Sequence, residues 1–279
     1  MSIRRIFAAL VIALTAAVGS LEAQTYCWFD SRGRSGELAS RIPTPKGYFR
    51  VAVDSGSFAV WLRQLPLKAE NSPVYLYDGS QKRNQNAHCA VVDIDVGDKD
   101  LQQCADAVIR LRAEYLYSKK EYDSISFVFT SGDVFPFRKW LEGVRPAVHG
   151  NDVIFEVSAI RDSSYSSFRR YLEIIFTYSG SYSLARQMSP EPADNGIAVG
   201  DVFIRGGFPG HAVIVIDKAV DTLSGDEIFL LAQSYMPAQE IHVLKNPEKD
   251  DLSPWYEAAF GDTLVTPEWI FTRDELRRF

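Results

Sequence analysis

The sequence predicts an α+β protein in which helices come first and an antiparallel β meander closes the chain. Two patterns indicate this fold class. Residues 101–117 repeat apolar side chains at the 3.6-residue period of a helix packed on a core. The last third instead contains short β-branched and aliphatic segments joined by turn residues, at residues 201–205, 212–217, 228–233 and 240–244.

The other predicted elements are short and are separated by Gly, Pro and polar breakers. Ser57 is the expected N-cap of a helix that Pro66 ends, and residues 24–46 are expected to be irregular. Strands are predicted at residues 47–53, 74–77, 89–96, 125–130, 153–157 and 269–272, helices at residues 137–143 and 167–176, and a loop at residues 188–196.

The first 23 residues predict an export signal. Arg4 and Arg5 precede an apolar run over residues 6–18, and a small-residue site follows, so we expect cleavage near Ala23. The run is shorter than the roughly 18 to 20 residues that span a bilayer. We therefore expect a periplasmic or secreted protein without stable membrane insertion, in which residues 24–279 form a single α+β domain.

Composition and motifs argue against several function classes. The 279-residue chain has a formal net charge of −6 and no basic cluster, which argues against a nucleic-acid partner. It contains no P-loop, no dinucleotide-binding fingerprint and no Gly-x-Ser-x-Gly. His149 and His242 have no partner at metal-ligand spacing, so we expect neither a metal nor a cofactor.

Cys104 is the first candidate for chemistry because it lies in the first turn of the helix predicted at residues 101–117. Asp100 is the expected N-cap, with Gln103 three residues later as in a capping box. Free N–H groups and the helix dipole stabilise a thiolate at such a position, which would lower the pKa of the thiol and make it nucleophilic. Cys104 also lies on the apolar face, where a cysteine can simply pack as a small hydrophobe.

The cysteine count constrains the redox chemistry. The chain has three cysteines, Cys27, Cys89 and Cys104, so at least one stays unpaired in an oxidising compartment. We predict a disulfide between Cys27 and Cys89, which would leave Cys104 as the single free thiol.

His211 is the second candidate. It follows a glycine-rich stretch, residues 206–210, and begins a strand in which it shares a face with Val213. A hairpin turning through residues 221–225 would bring Gln233 or Ser234 beside it across the ladder. A polar side chain there could orient the imidazole, as the third member of a Cys–His–polar arrangement.

A cysteine at a helix start, followed by strands that carry His and then a polar residue, resembles the papain-like peptidoglycan amidases and endopeptidases of the NlpC type. The matching stretches are residues 101–106, 200–203 and 210–215. The resemblance implies that Cys104 attacks an amide, His211 activates it and Gln233 holds the ring. The Asp-Cys-Ser-Gly usual in that superfamily is Gln-Cys-Ala-Asp here.

The same resemblance implies a papain-like core over residues 100–117 and 197–273. An N-terminal lobe would then occupy residues 24–99 and an insertion residues 118–196. The candidate substrate-binding residues are His88, Arg112, Ser234 and Tyr235.

A closer resemblance extends over residues 41–271. Residues 61–68, 100–107, 110–115 and 232–239 are similar to an uncharacterised family of exported bacterial proteins that carry a domain of unknown function. This resemblance implies a bacterial origin and brings no activity with it.

Two functional hypotheses follow. The first is an exported cysteine hydrolase that acts on amide bonds, with peptidoglycan or another envelope peptide or glycan as its partner. The alternative is a non-catalytic exported protein that binds a glycan or peptide or contributes to an envelope assembly.

Overall fold

The computed structural model describes residues 26–28, 36–191 and 196–279. The predicted export signal and its cleavage site near Ala23 lie outside these described residues. Within them the fold is mixed α+β, as predicted, with a large antiparallel sheet and few helices.

The large sheet gathers strands from both ends of the chain. Its members are β1 (Tyr48–Arg50), β2 (His88–Val91), β7 (Ser189–Pro190), β8 (Val202–Arg205), β9 (His211–Asp221), β10 (Glu227–Gln233), β11 (His242–Leu244), β12 (Tyr256–Glu257) and β15 (Leu276–Arg278). In the described part of the chain, three hairpins lie outside it: β3 (Ser126–Val128) with β4 (Val134–Pro136), β5 (Val144–His149) with β6 (Asp152–Val157), and β13 (Thr263–Val265) with β14 (Ile270–Thr272).

Among the described residues, the helices are short apart from two. They are α1 (Leu38–Arg41), α2 (Phe58–Arg63), α3 (Cys104–Ser118), α4 (Phe137–Leu141), α5 (Tyr165–Tyr178) and α6 (Ser181–Gln187). Short 3-10 turns occur at Gln85–Ala87, Tyr122–Ser124 and Arg273–Glu275.

The strand order places the predicted meander at the centre of the sheet. It runs β2-β11-β10-β9-β8-β15-β7, with β1 added to β9 and β12 added to β10. Strand β8 pairs with β9 so that Arg205 faces His211, and β10 pairs with β9 so that Ala232 faces Ile214. The ends of β9 and β10 that carry His211 and Gln233 therefore lie side by side.

The central strands are buried on both faces because side chains alternate along a strand. Ile214 of β9 belongs to the larger core, together with Val108 of α3 and Leu172 of α5. Its neighbour Val213 belongs to a smaller core that includes Phe271 of β14. Helix α3 thus packs on one face of the sheet, and the β13–β14 hairpin covers the other.

The helix that carries the candidate cysteine begins later than predicted. Helix α3 starts at Cys104, not at residue 101, and its N-cap is Gln103, not Asp100. The Asp106 carboxylate accepts a hydrogen bond from the Gln103 N–H (3.1 Å). Asp100 is used elsewhere, because it accepts from the N–H of Ala238 (2.6 Å) and so joins the start of α3 to the loop after β10.

Several local predictions were wrong. Residues 74–77 were predicted as a strand but form only two isolated β-bridges, Tyr75 with Gln81 and Leu76 with Gln239. Neither bridge extends into a ladder of paired residues. The segment predicted as irregular contains α1, and the segment predicted as a loop contributes β7, which pairs with the C-terminal β15. Strand β5 and helix α6 were not predicted.

The predicted disulfide between Cys27 and Cys89 is not formed. Both residues are free thiols that reach the surface. The two thiols have different charged neighbours. The negative charge of Glu114 acts on Cys27, whereas the positive charge of Lys245 acts on Cys89.

A buried ion cluster joins the N-terminal segment to the sheet. Asp217 of β9 is fully buried and accepts hydrogen bonds from Arg50 Nε (2.6 Å) and Arg63 Nε (2.7 Å). One carboxylate therefore connects β1 and α2 to β9.

Among the helices within the described ranges, none is long and apolar enough to cross a bilayer.

Candidate active site

The fold brings Cys104 to the beginning of β9. Cys104 is the first residue of α3, which packs across this strand. The backbone of Ala212 interacts with the Cys104 sulfur in a way that favours the thiolate. Because Ala212 directly follows His211, the two candidate residues from distant parts of the chain are brought to one place.

His211 and Gln233 are joined directly. His211 is 2% exposed, and its Nε2 lies 2.8 Å from Oε1 of Gln233. Extending the β9–β10 register by one step places Gln233 opposite Val213 and diagonal to His211, on the same face of the sheet. The sequence predicted Gln233 or Ser234 beside this histidine, and Gln233 is the one in contact.

Aromatic rings surround the imidazole. Ring centroids of Tyr235, Trp269 and Phe271 lie 4.7, 5.3 and 5.8 Å from that of His211. Burial raises the pKa of Tyr235, and the charges of Glu268 and Cys104 add to that rise. Of the hydrogen bonds within the described ranges, none joins the Cys104 sulfur to the His211 ring.

Behind Gln233 lies a polar network that the sequence did not reveal. Gln233 Nε2 donates to Glu268 Oε2 (2.8 Å) and lies 3.3 Å from His242 Nε2. Lys82 Nζ contacts both oxygens of Glu268, at 2.7 and 2.8 Å. Glu268 and Lys82 come from loops distant in sequence, and no motif or periodic pattern marks either of them.

Burial keeps both catalytic candidates uncharged at neutral pH. It lowers the pKa of His211 to about 4, against the smaller opposing effect of the hydrogen bond with Gln233. It raises the pKa of Cys104 to about 11, and the neighbouring Asp106 carboxylate acts in the same direction. The prediction of a lowered thiol pKa was wrong, because desolvation outweighs the stabilisation offered by the helix terminus.

Glycine is required immediately before His211. A Cβ at Gly210 would collide with Ser181 Oγ and Gly207 O and would lie 2.8 Å from Arg205 O. The chain must pass close to other backbone here, and this fixes where β9 begins and hence where the imidazole lies.

The surface beside the site carries apolar side chains. Phe208 in the loop before His211 is 95% exposed, and Met236 in the loop after β10 is also exposed. Such side chains can contact a ligand that approaches the half-buried Tyr235.

The described part of the chain belongs to a family without an assigned function. Residues 38–278 match the family described as domain of unknown function 4846. The chain belongs to this family. No curated protein and no solved structure matches the chain.

The part of the chain that matches this family contains Cys104, His211, Gln233 and Glu268 but not Cys27. Among the described residues of this family member, no group of three or more His, Cys, Asp or Glu side chains could hold a metal ion.

The other predicted substrate-binding residues occupy different surroundings. Ser234 is fully buried, and its hydroxyl lies 2.7 Å from the Gln239 carbonyl and 3.0 Å from the Gln102 carbonyl, so it braces the loop after β10 against the residue before the α3 cap. His88 is half-buried on β2, where its Nε2 lies 3.1 Å from the Ser72 carbonyl.

His88 reaches the network only indirectly, through a T-shaped contact with His242 at 5.8 Å. Arg112 lies two turns along α3 from Cys104, and its guanidinium packs over the rings of Phe58 and Tyr115. In this family member Tyr235 is thus the predicted substrate-binding residue that directly contacts His211.

Proposed function

We propose that this chain is an exported cysteine hydrolase that cleaves amide bonds, with Cys104 as nucleophile, His211 as general base and Gln233 as the residue that orients the imidazole. One observation carries the proposal: the buried 2.8 Å contact between His211 Nε2 and Gln233 Oε1, at the strand end against which the Cys104 sulfur lies. A nucleophile, a base and a group that orients the base are the three parts that covalent acyl transfer requires.

The reaction begins with the Cys104 thiol and the His211 imidazole both uncharged. As a substrate carbonyl approaches, His211 takes the thiol proton and the sulfur forms a bond to the carbonyl carbon. The tetrahedral intermediate collapses by breaking the C–N bond, and the imidazolium protonates the departing amine. Water, deprotonated by His211, then hydrolyses the thioester to a carboxylic acid and restores the thiol.

The start of α3 supplies stabilisation for the oxyanion. The first N–H groups of a helix have no acceptor within the helix, and Cys104 is the first residue of α3. Donors of this kind next to a nucleophile favour the negative oxygen of the tetrahedral intermediate.

Envelope peptides are the proposed substrate class. The resemblance to NlpC-type enzymes supports peptide amides of the cell wall, and the export signal expected in the first 23 residues would take the protein to that compartment. The exposed Phe208 and Met236 offer apolar contacts for a peptide beside the site.

The test is hydrolysis of purified peptidoglycan by the mature chain, residues 24–279, with products identified by mass spectrometry. We expect new amine and carboxylate ends, which Cys104→Ala abolishes while Cys27→Ser leaves them unchanged. Product formation by folded Cys104→Ala at the wild-type rate would exclude Cys104 as the nucleophile.

A non-catalytic envelope protein is the second candidate, and a specific observation favours it. Alternation along β9 directs His211 with Val213 towards the β13–β14 side, whereas Ala212 belongs with the core that contains α3. A partly buried, protonated Cys104 fits a packing role in such an arrangement. Loss of folding in both Cys104→Ala and His211→Ala, with peptide binding but no hydrolysis by the wild type, would support this alternative.

A further inference from the structure

We propose that Glu268, held by Lys82, is a positioning residue that places the proton of neutral His211 on Nε2 and leaves Nδ1 free to act as the base. The catalytic meaning of this inference rests on the proposed function, whereas the position of the proton can be measured without any substrate.

The argument starts at His242, whose proton position is fixed by its backbone contact. Its Nδ1 lies 2.9 Å from the Glu240 carbonyl oxygen, which can only accept, so Nδ1 carries a hydrogen. His242 is fully buried, and burial lowers its pKa to about 3, so the ring is neutral at pH 7. Its Nε2 is therefore an acceptor.

Two acceptors then determine which way the Gln233 amide points. The Glu268 carboxylate and His242 Nε2 both face the same end of this amide, at 2.8 and 3.3 Å. Neither can donate, so that end must be the NH₂ group. The amide oxygen is left facing His211 at 2.8 Å, and His211 Nε2 must donate to it.

Glu268 is the stronger of the two acceptors. It carries the negative charge and makes the shorter contact, and hydrogen bonds to ionised groups are roughly twice as strong as neutral ones. Its own position is fixed because Lys82, whose side chain is 5% exposed, contacts both carboxylate oxygens, and Asn84 Nδ2 lies 3.3 Å from one of them.

Replacing the carboxylate by a neutral amide weakens the preference for one amide orientation, because the charged acceptor is lost and only His242 Nε2 still favours the NH₂ end. A flipped Gln233 would present its NH₂ group to His211, whose Nε2 would then have to accept. The imidazole proton would move to Nδ1, and that nitrogen could no longer take the thiol proton. Glu268 therefore acts through Gln233, although it does not touch the imidazole.

The experiment records ¹⁵N NMR spectra of the histidine side chains at pH 7, assigned with His211→Gln. The test variant is Glu268→Gln, which keeps the shape of the side chain. The matched control is Glu275→Gln, because Glu275 pairs with Arg205 and its side chain is 14% exposed, against 15% for Glu268.

We expect wild type and Glu275→Gln to show a protonated Nε2 and a bare Nδ1 at His211, and Glu268→Gln to add a population with the proton on Nδ1. Hydrolysis by Glu268→Gln should lose on the order of 10- to 100-fold in kcat, with little change in KM, as for other groups that orient a functional histidine.

Two results would overturn the inference: a wild-type His211 with its proton on Nδ1, which needs no variant to detect, or an unchanged His211 spectrum in Glu268→Gln. Failure of the proposed function gives a different result from failure of this inference. In that case the His211 tautomer would still change in Glu268→Gln, but Cys104→Ala would leave hydrolysis unaffected.

Discussion

The Cys104 thiol should resist alkylation at neutral pH in the folded protein. Burial is the main reason, since it raises the pKa of this thiol from an ordinary value of 9.0 to about 11. Only the thiolate reacts with iodoacetamide. A difference of two pKa units makes the thiolate fraction at pH 7.5 about 100-fold smaller than for an ordinary thiol, and the labelling rate should fall by about the same factor.

The neighbouring carboxylate provides a second, independent change. Asp106 raises the pKa of Cys104 by its negative charge, and it also caps the Gln103 N–H. Asp106→Asn removes the charge and keeps an oxygen for the cap. Burial also raises the pKa of Asp106 well above its ordinary value, so its charge acts on the thiol only where this carboxyl has ionised. We therefore expect the labelling midpoint of Asp106→Asn to lie at lower pH than that of the parent.

Intact-mass measurement of iodoacetamide labelling between pH 7 and 11 tests both expectations. The parent protein is Cys27→Ser/Cys89→Ser, in which Cys104 is the single thiol, and both replaced residues reach the surface. The same protein unfolded in urea supplies the ordinary thiol. A folded-state midpoint below pH 9, or equal rates in the folded and unfolded states, would refute the argument from burial.

Three further predictions concern stability. Asp217→Asn should lower the free energy of unfolding by about 3–5 kcal/mol in urea titrations, because it removes the buried charge that pairs with the partly buried Arg50 and Arg63; a change below 1 kcal/mol would contradict this. Gly210→Ala should cost about 1–3 kcal/mol by overpacking, whereas Gly180→Ala, which has open space and an extended backbone, should match wild type. The pKa values of His211 and His242 are lowered to about 4 and about 3, so the unfolded state binds more protons below pH 6.5. Stability should therefore fall as pH drops from 6.5 towards 4, less steeply in His242→Gln than in wild type, and equal slopes would contradict this assignment.

The contact between His211 and Gln233 could be approached from sequence because it depends on local rules. An antiparallel hairpin brings the start of one strand beside the end of the next, and side-chain alternation decides which residues share a face. The pairing of the two strands also depends on a bulge between Leu230 and Leu231, which shifts the register by one residue. A bulge of this kind leaves no mark in the pattern of apolar residues.

The network behind Gln233 could not be predicted in this way. Lys82, Glu268 and His242 come from two loops and an inner strand of the sheet, and they meet only after the sheet has assembled. Each looks like an ordinary polar residue in the sequence. The start of α3 was missed for a similar reason, since the tertiary contact of Asp100 with the Ala238 N–H competes with its local use as a cap.

A raised thiol pKa agrees with the expected export of this protein better than a lowered one. Oxidants attack the thiolate, so a low-pKa cysteine outside the cytoplasm is the most easily lost to sulfenic acid and disulfides. A partly buried, protonated Cys104 avoids that reaction. It can be activated when a substrate brings its carbonyl next to the sulfur and His211 takes the proton. Peroxide treatment at pH 7.5 should therefore oxidise Cys104 about 100-fold more slowly in the folded chain than in urea, in proportion to the thiolate fraction. Equal oxidation rates in the folded and the unfolded chain would mean that burial does not protect the thiol. The survival of a reduced Cys104 outside the cytoplasm would then have to be explained in another way.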